Sequence, residues 1–122
     1  MVVASADGLD EITTTAETVV SELRDGTVTT YTITPEDLGL ERGTIDDLVV
    51  ASPAEGADAI RGVLAAEKGP KRDIVLANAA AVAVVAGVAG TLREGVAAAA
   101  EAIDSGRAAE ALSRLVSTSN AI

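Results

Sequence analysis

Thr18-Val19-Val20-Ser21-Glu22-Leu23 and Thr27-Val28-Thr29-Thr30-Tyr31-Thr32-Ile33 flank the tripeptide Arg24-Asp25-Gly26. Both runs are rich in β-branched residues, and an Asp-Gly pair readily accepts positive φ, so the stretch predicts a β-hairpin. Towards the N-terminus, Met1 to Ser5 is a short apolar run closed by Ala6-Asp7-Gly8, the pattern of a buried strand that ends in a turn. A polar loop separates that strand from the hairpin. The strand has no obvious partner in the sequence that follows it, so its neighbours are expected in polypeptide upstream of Met1.

Beyond the hairpin the pattern changes to helices. Thr34-Pro35-Glu36-Asp37 combines a capping residue, Pro at the first helical position and acids in the first turn, and Gly39 limits it to one turn. Thr44-Ile45-Asp46-Asp47-Leu48 predicts a second short turn. Ser52-Pro53-Ala54-Glu55 is a capping box opening a helix to about Lys68, with Ala59, Ile60, Val63 and Leu64 at helical spacing. Gly69 stops that helix and Pro70 opens the next, which runs to about Ala89. Beyond its first turn it is apolar almost all round, so it is expected to be central and covered on several sides. Thr91-Leu92-Arg93-Glu94 is another capping box, leading into a helix with Val96, Ala99, Ala100 and Ile103 on one stripe. Gly106 ends it. A last helix, from about Arg107 to Val116, is expected to turn Ala108, Leu112, Leu115 and Val116 towards its neighbours, and Ser117 to Asn120 to fray.

With 122 residues, 48% of them apolar, and no linker, repeat or low-complexity tract, the chain reads as one α/β domain segment, residues 1–122. The core is unusual in having one Tyr, no Phe and no Trp to draw on. Ala, Val, Leu and Ile must supply its area, and small side chains permit close helix contacts. The 19 acidic against 9 basic residues give a formal charge of −10, which repels a phosphate backbone and argues against nucleic acid as a partner. The acidic excess, with Lys only at Lys68 and Lys71, also suggests adaptation to strong brine.

Cys and His are both absent, so metal or acid–base chemistry must use carboxylates. The longest apolar run, Ile74 to Gly90, falls short of the roughly 18 residues of a membrane span and contains Asn78. The start lacks a signal peptide's basic and apolar regions, and a cytoplasmic location is the expectation.

Short motifs also have structural readings. Adjacent Asp10 and Glu11 in so acidic a chain are ordinarily solvated surface, and Asp46-Asp47 at a helix start offset the macrodipole. Asn78, on an apolar helix, is expected to be a buried amide bonded to neighbouring backbone rather than a ligand contact. Gly87-Val88-Ala89-Gly90-Thr91 joins two helices without a preceding strand or a P-loop Lys, and reads as a helix–helix turn.

Val2-Val3-Ala4-Ser5-Ala6-Asp7-Gly8-Leu9-Asp10-Glu11-Ile12 resembles the strand-and-loop signature of the anthranilate phosphoribosyltransferases, in which a Val-rich strand leads into a Gly-Leu-Asp-Glu turn, here Gly8 to Glu11. The likeness continues through Pro35-Glu36-Asp37-Leu38-Gly39-Leu40, Gly62 to Pro70, Asn78-Ala79-Ala80, Arg93-Glu94-Gly95 and Ala102 to Gly106, covering essentially the whole chain. The resemblance implies the C-terminal part of a nucleoside phosphorylase/phosphoribosyltransferase-like catalytic domain. Members of this family transfer phosphoribose from phosphoribosyl pyrophosphate to anthranilate in tryptophan synthesis, with magnesium on the pyrophosphate.

By the same resemblance, Asp10 and Glu11 match the family's acid pair for Mg²⁺, and no catalytic or other cofactor-binding residue is carried over. The family's Gly-rich loop, its Lys-His-Gly-Asn segment, its anthranilate-contacting Arg and its dimerising helices all precede the opening strand. The complete enzyme is expected to be a homodimer through those helices, and this polypeptide alone to be inactive. Ala4 stands where the family commonly has His. Two alternatives are a non-catalytic acidic module that complements a separate N-terminal half, and a pyrimidine nucleoside phosphorylase-like fragment, which the Gly-Leu-Asp-Glu and Asn-Ala-Ala motifs fit less well.

Overall fold

A computed structural model describes residues 1–121 and has an α/β architecture. Three strands, β1 (Val2–Ser5), β2 (Thr18–Arg24) and β3 (Thr27–Ile33), form one sheet in that order. Two 3₁₀ turns follow, Glu36–Leu38 and Ile45–Asp47, and then helices α1 (Pro53–Leu64), α2 (Pro70–Val85), α3 (Leu92–Asp104) and α4 (Arg107–Ser119).

The hairpin forms as its sequence predicts, with Arg24 opposite Thr27 and both Asp25 and Gly26 at positive φ. The opening strand differs from expectation, because β1 pairs antiparallel with β2, from Val2 opposite Ser21 to Ser5 opposite Thr18. The loop between them is too long to carry a hairpin turn signature. It nevertheless returns the chain beside itself, and the Ala6 N–H extends the ladder by donating to the Glu17 carbonyl at 2.9 Å. Nor is β1 buried on both faces, since Val3 and Ser5 are half-buried and Val2 and Ala4 are exposed.

Ile12, Val20, Ile33, Leu38 and Ala77 form a core between the sheet and α2, and Val63, Leu76 and Ile103 form a second one among the helices. Leu40 and Val96 pack against both. The α3 stripe lies where its spacing puts it, with Ile103 buried and Val96, Ala99 and Ala100 around it. Small residues do bring helices together: Gly95 of α3 is buried against the main chain of Ala80 in α2.

Other apolar stripes are less covered than expected. On α2 only Arg72, Leu76, Ala77 and Ala80 are buried, while Val75, Val82 and Val85 are exposed. On α4 only the first turn approaches a core, through Ala108, and Leu112, Leu115 and Val116 stand in the open. Ile60 on α1 is exposed too. These faces are left largely uncovered by the described residues.

Helix ends follow local chemistry. Thr91 accepts from the Glu94 N–H while Glu94 accepts from the Thr91 N–H, a complete capping box. At α1, Ser52 accepts from the Glu55 N–H, but the Glu55 carboxylate reaches the N–H of Ala51 rather than that of Ser52. α1 also stops at Leu64, short of Lys68, and α2 at Val85, short of Ala89. α4 continues to Ser119, through residues expected to fray. No helix among the described residues is long and apolar enough to cross a membrane.

Candidate metal-binding loop

The loop from Ala6 to Glu17 is organised around Asp7. Its carboxylate accepts from the hydroxyls of Ser5 at 2.6 Å and Thr13 at 2.5 Å, from the Thr15 hydroxyl, and from the Leu9 N–H at 3.1 Å. Partial burial pushes this carboxyl's pKa upwards. The donors from Ser5, Thr13, Thr15 and Leu9 outweigh it and hold the group well below the ordinary carboxylate range. Asp7 is thus a fixed anion wholly engaged in shaping the loop. Sequence reasoning assigned it only to a turn; the available signal was the set of hydroxyl residues, Ser5, Thr13 and Thr15, on either side of it.

The far end of the loop is fastened to α2. Ile12 buries its side chain in the sheet core, and Asn78 bonds its main chain on both sides. The Ile12 N–H donates to Asn78 Oδ1 at 2.9 Å, and Asn78 Nδ2 donates to the Ile12 carbonyl at 2.8 Å. Asn78 is therefore the backbone-bonded amide that the sequence suggests.

Between Leu9 and Ile12 stand the two predicted ligands, Asp10 and Glu11, both exposed. Neither carboxylate has a hydrogen-bond or ion-pair partner among the described residues, unlike Asp7. No group of three or more candidate ligands that would hold a metal occurs among the described residues. Asp10 and Glu11 offer oxygen donors of the kind a hard cation takes, but fewer than fill its coordination shell. Asp46 and Asp47 lie elsewhere, and the Asp47 carboxylate caps its own turn by accepting from the Thr44 N–H and hydroxyl. Gly87 to Thr91 joins α2 to α3, as read from sequence.

Beside the acid pair, an apolar trough of about 730 Å³ runs between α1 and α2, bordered by Leu9, Glu11, Ile60, Val75, Asn78 and Val82.

The chain is 49% identical to an anthranilate phosphoribosyltransferase of Parvibaculum lavamentivorans over 119 residues, which are 98% of this chain and 35% of that protein. It is 55% identical to one of Phenylobacterium zucineum over 109 residues, 89% of this chain and 32% of that protein. Among solved structures, anthranilate phosphoribosyltransferase from Saccharomyces cerevisiae in complex with PRPP and Mg superposes with a TM-score of 0.88 at 25% identity, covering 98% of this chain and 35% of that one. The Thermus thermophilus enzyme superposes with a TM-score of 0.82 at 36% identity, covering 95% and 35%. The chain therefore spans about a third of the length of the relatives it matches. Residues 1–109 match the model of the glycosyl transferase family, a/b domain, and with these relatives the match establishes that the chain belongs to that family.

Proposed function

We propose that this chain is the C-terminal segment, a single domain segment over residues 1–122, of an anthranilate phosphoribosyltransferase, and that it supplies the acid pair Asp10 and Glu11 for Mg²⁺. The observation that carries this reading is the contrast within one loop: Asp7 is saturated with donors, while the two acids three and four positions on are exposed and unengaged. Carboxylates left free at a fixed position are what a cation shared with a diphosphate requires. The sequence relatives and the structural likeness to an enzyme solved with PRPP and Mg support the same assignment.

In the complete enzyme, phosphoribose passes from phosphoribosyl pyrophosphate to the amine of anthranilate and pyrophosphate departs. Magnesium, when bound, neutralises charge that grows on that leaving group. The Asp10 and Glu11 carboxylates would hold it, and Asp7, engaged by Ser5, Thr13, Thr15 and Leu9, keeps their loop in shape. No residue of this chain takes part in bond making; the groups that position both substrates belong to the rest of the protein. The complete protein works in the cytoplasm as a homodimer assembled through other segments. The formal charge of −10 supports leaving nucleic acid out of its partners.

The test is an assay of phosphoribosyl-anthranilate formation by the complete protein as magnesium is titrated. Replacing Asp10→Asn and Glu11→Gln together should raise the magnesium needed and lower the rate. Unchanged magnesium dependence and turnover in that double variant would remove the assignment.

The exposed apolar faces of α1, α2 and α4 call for covering surface from further polypeptide, either joined to this chain or supplied by a separately encoded N-terminal half. Activity that appears only on mixing two polypeptides would decide for the latter.

A further inference from the structure

We infer that Asn78 is a positioning residue for the Asp10–Glu11 pair, setting from α2 where both carboxylates stand. The inference rests on the metal-binding reading of that pair. Asn78 uses both of its N–H donors, one on the Ile12 carbonyl at 2.8 Å and one on the Ile74 carbonyl at 2.9 Å, the latter within its own helix. Its Oδ1 accepts the Ile12 N–H at 2.9 Å. The amide thus pairs both polar groups of one residue's main chain, as a neighbouring strand would.

What this fixes is specific. Leu9 is held by the Asp7 carboxylate and Ile12 by Asn78 and the core, so the only residues between the two anchors are Asp10 and Glu11. Both anchors grip main chain, leaving the acid side chains free. The second anchor also ties the main chain beside the pair to α2, a helix packed closely on α3.

Only an amide does this. An Asp at 78 would still accept from the Ile12 N–H but would place a carboxylate against the Ile12 carbonyl. A Leu would match the size and leave both Ile12 groups unpaired.

The experiment compares, in the complete transferase, the parent with Asn78→Leu, the Asp10→Asn and Glu11→Gln pair, and Leu76→Ala, measuring initial rate against free Mg²⁺ at saturating phosphoribosyl pyrophosphate. Leu76 is buried with Val63 and Ile103 in the helical core, so it reports a purely structural loss on the same helix. Asn78→Leu is expected to raise the half-saturating Mg²⁺ about tenfold. Leu76→Ala is expected to lower the melting temperature and leave that concentration unmoved. A shift in the acid-pair variant with none in Asn78→Leu overturns this inference alone; no shift in the acid-pair variant overturns the reading of the pair. Should Asn78→Leu fail to fold, amide exchange in the parent decides: strong protection of the Ile12 N–H supports the anchor, and exchange as fast as that of Asp10 overturns it.

Discussion

Gly95 in α3 lies against Ala80 in α2 so closely that a Cβ on Gly95 would stand 2.7 Å from the Ala80 carbonyl oxygen and 2.8 Å from its Cα. Both obstacles are backbone, so neither can swing aside, and the spacing of the two helices depends on this missing methyl.

Gly95→Ala is therefore expected to destabilise the fold by about 1–3 kcal/mol, despite a helix-propensity gain of up to about 1 kcal/mol. Gly87 provides the contrast. It sits in open space at φ +72, so Gly87→Ala costs only the left-handed backbone, about 1–2 kcal/mol. Denaturant midpoints measure both. Only Gly95→Ala should also disturb the α2–α3 packing, visible as chemical-shift changes around Ala80.

Acid should weaken the fold below about pH 4. Asp7 is depressed by its hydroxyl and N–H donors against an opposing burial effect, and Glu36 is held down to about 2 by Arg42. Asp47 is lowered by Thr44, and Asp104 by Arg72. Arg72 is buried with Nη1 2.8 Å from Asp104 Oδ1, a close ion pair although it falls outside hydrogen-bond geometry. A carboxyl with a folded pKa below its unfolded value stabilises fully above the unfolded value, about 4, and loses that contribution as pH falls through the folded one. Asp73 runs the other way, raised by burial and then by Glu41. Glu22, lowered by its hydrogen bonds from Arg24 and Tyr31, is a fifth depressed carboxyl, and with five groups against one the urea midpoint should be flat from about pH 5 to 7 and fall between about pH 4 and 2. Asp7→Asn should make that fall shallower, and a midpoint unchanged at pH 3 would contradict the account.

By itself the 122-residue chain should show no transfer of phosphoribose to anthranilate, and it should bind an apolar dye at its uncovered faces. Turnover by the isolated chain would contradict the division of labour proposed above.

Much of this was legible in the sequence, and the limits have physical causes. The hairpin and the Thr91 cap are local patterns, so their residues announce them. Two helix ends show where that stops. α2 closes with Gly87 in the left-handed region, its N–H on the Val84 carbonyl and the Val88 N–H on that of Ala83. α1 closes by the same arrangement at Ala66, with φ +66, Ala66 N–H on Val63 and Glu67 N–H on Gly62. Gly87 carries a sequence signal for such a stop, which the helix expected to reach Ala89 passes over, whereas Ala66 carries none; its methyl packs against the helical core.

The site divides in the same way. Asp10 and Glu11 are nominated by the family pattern alone, while Asn78 on its apolar helix reads as a bonded amide and is one. Its partner is not legible, because Ile12 lies 66 positions away and only the fold brings them together. The β1–β2 pairing was missed because a long loop carries no register signal, and the uncovered faces of α2 and α4 because periodicity marks an apolar side without saying what covers it.

The central claim is that Asp10 and Glu11 hold a divalent cation beside a diphosphate. Its most direct test is a crystal of the complete protein grown with Mn²⁺ and pyrophosphate, with anomalous scattering locating the metal. The account predicts a peak within about 2.3 Å of a carboxylate oxygen of Asp10 or Glu11 and in contact with the diphosphate. Manganese bound to pyrophosphate with both carboxylates turned away and uninvolved, directly or through water, would contradict it.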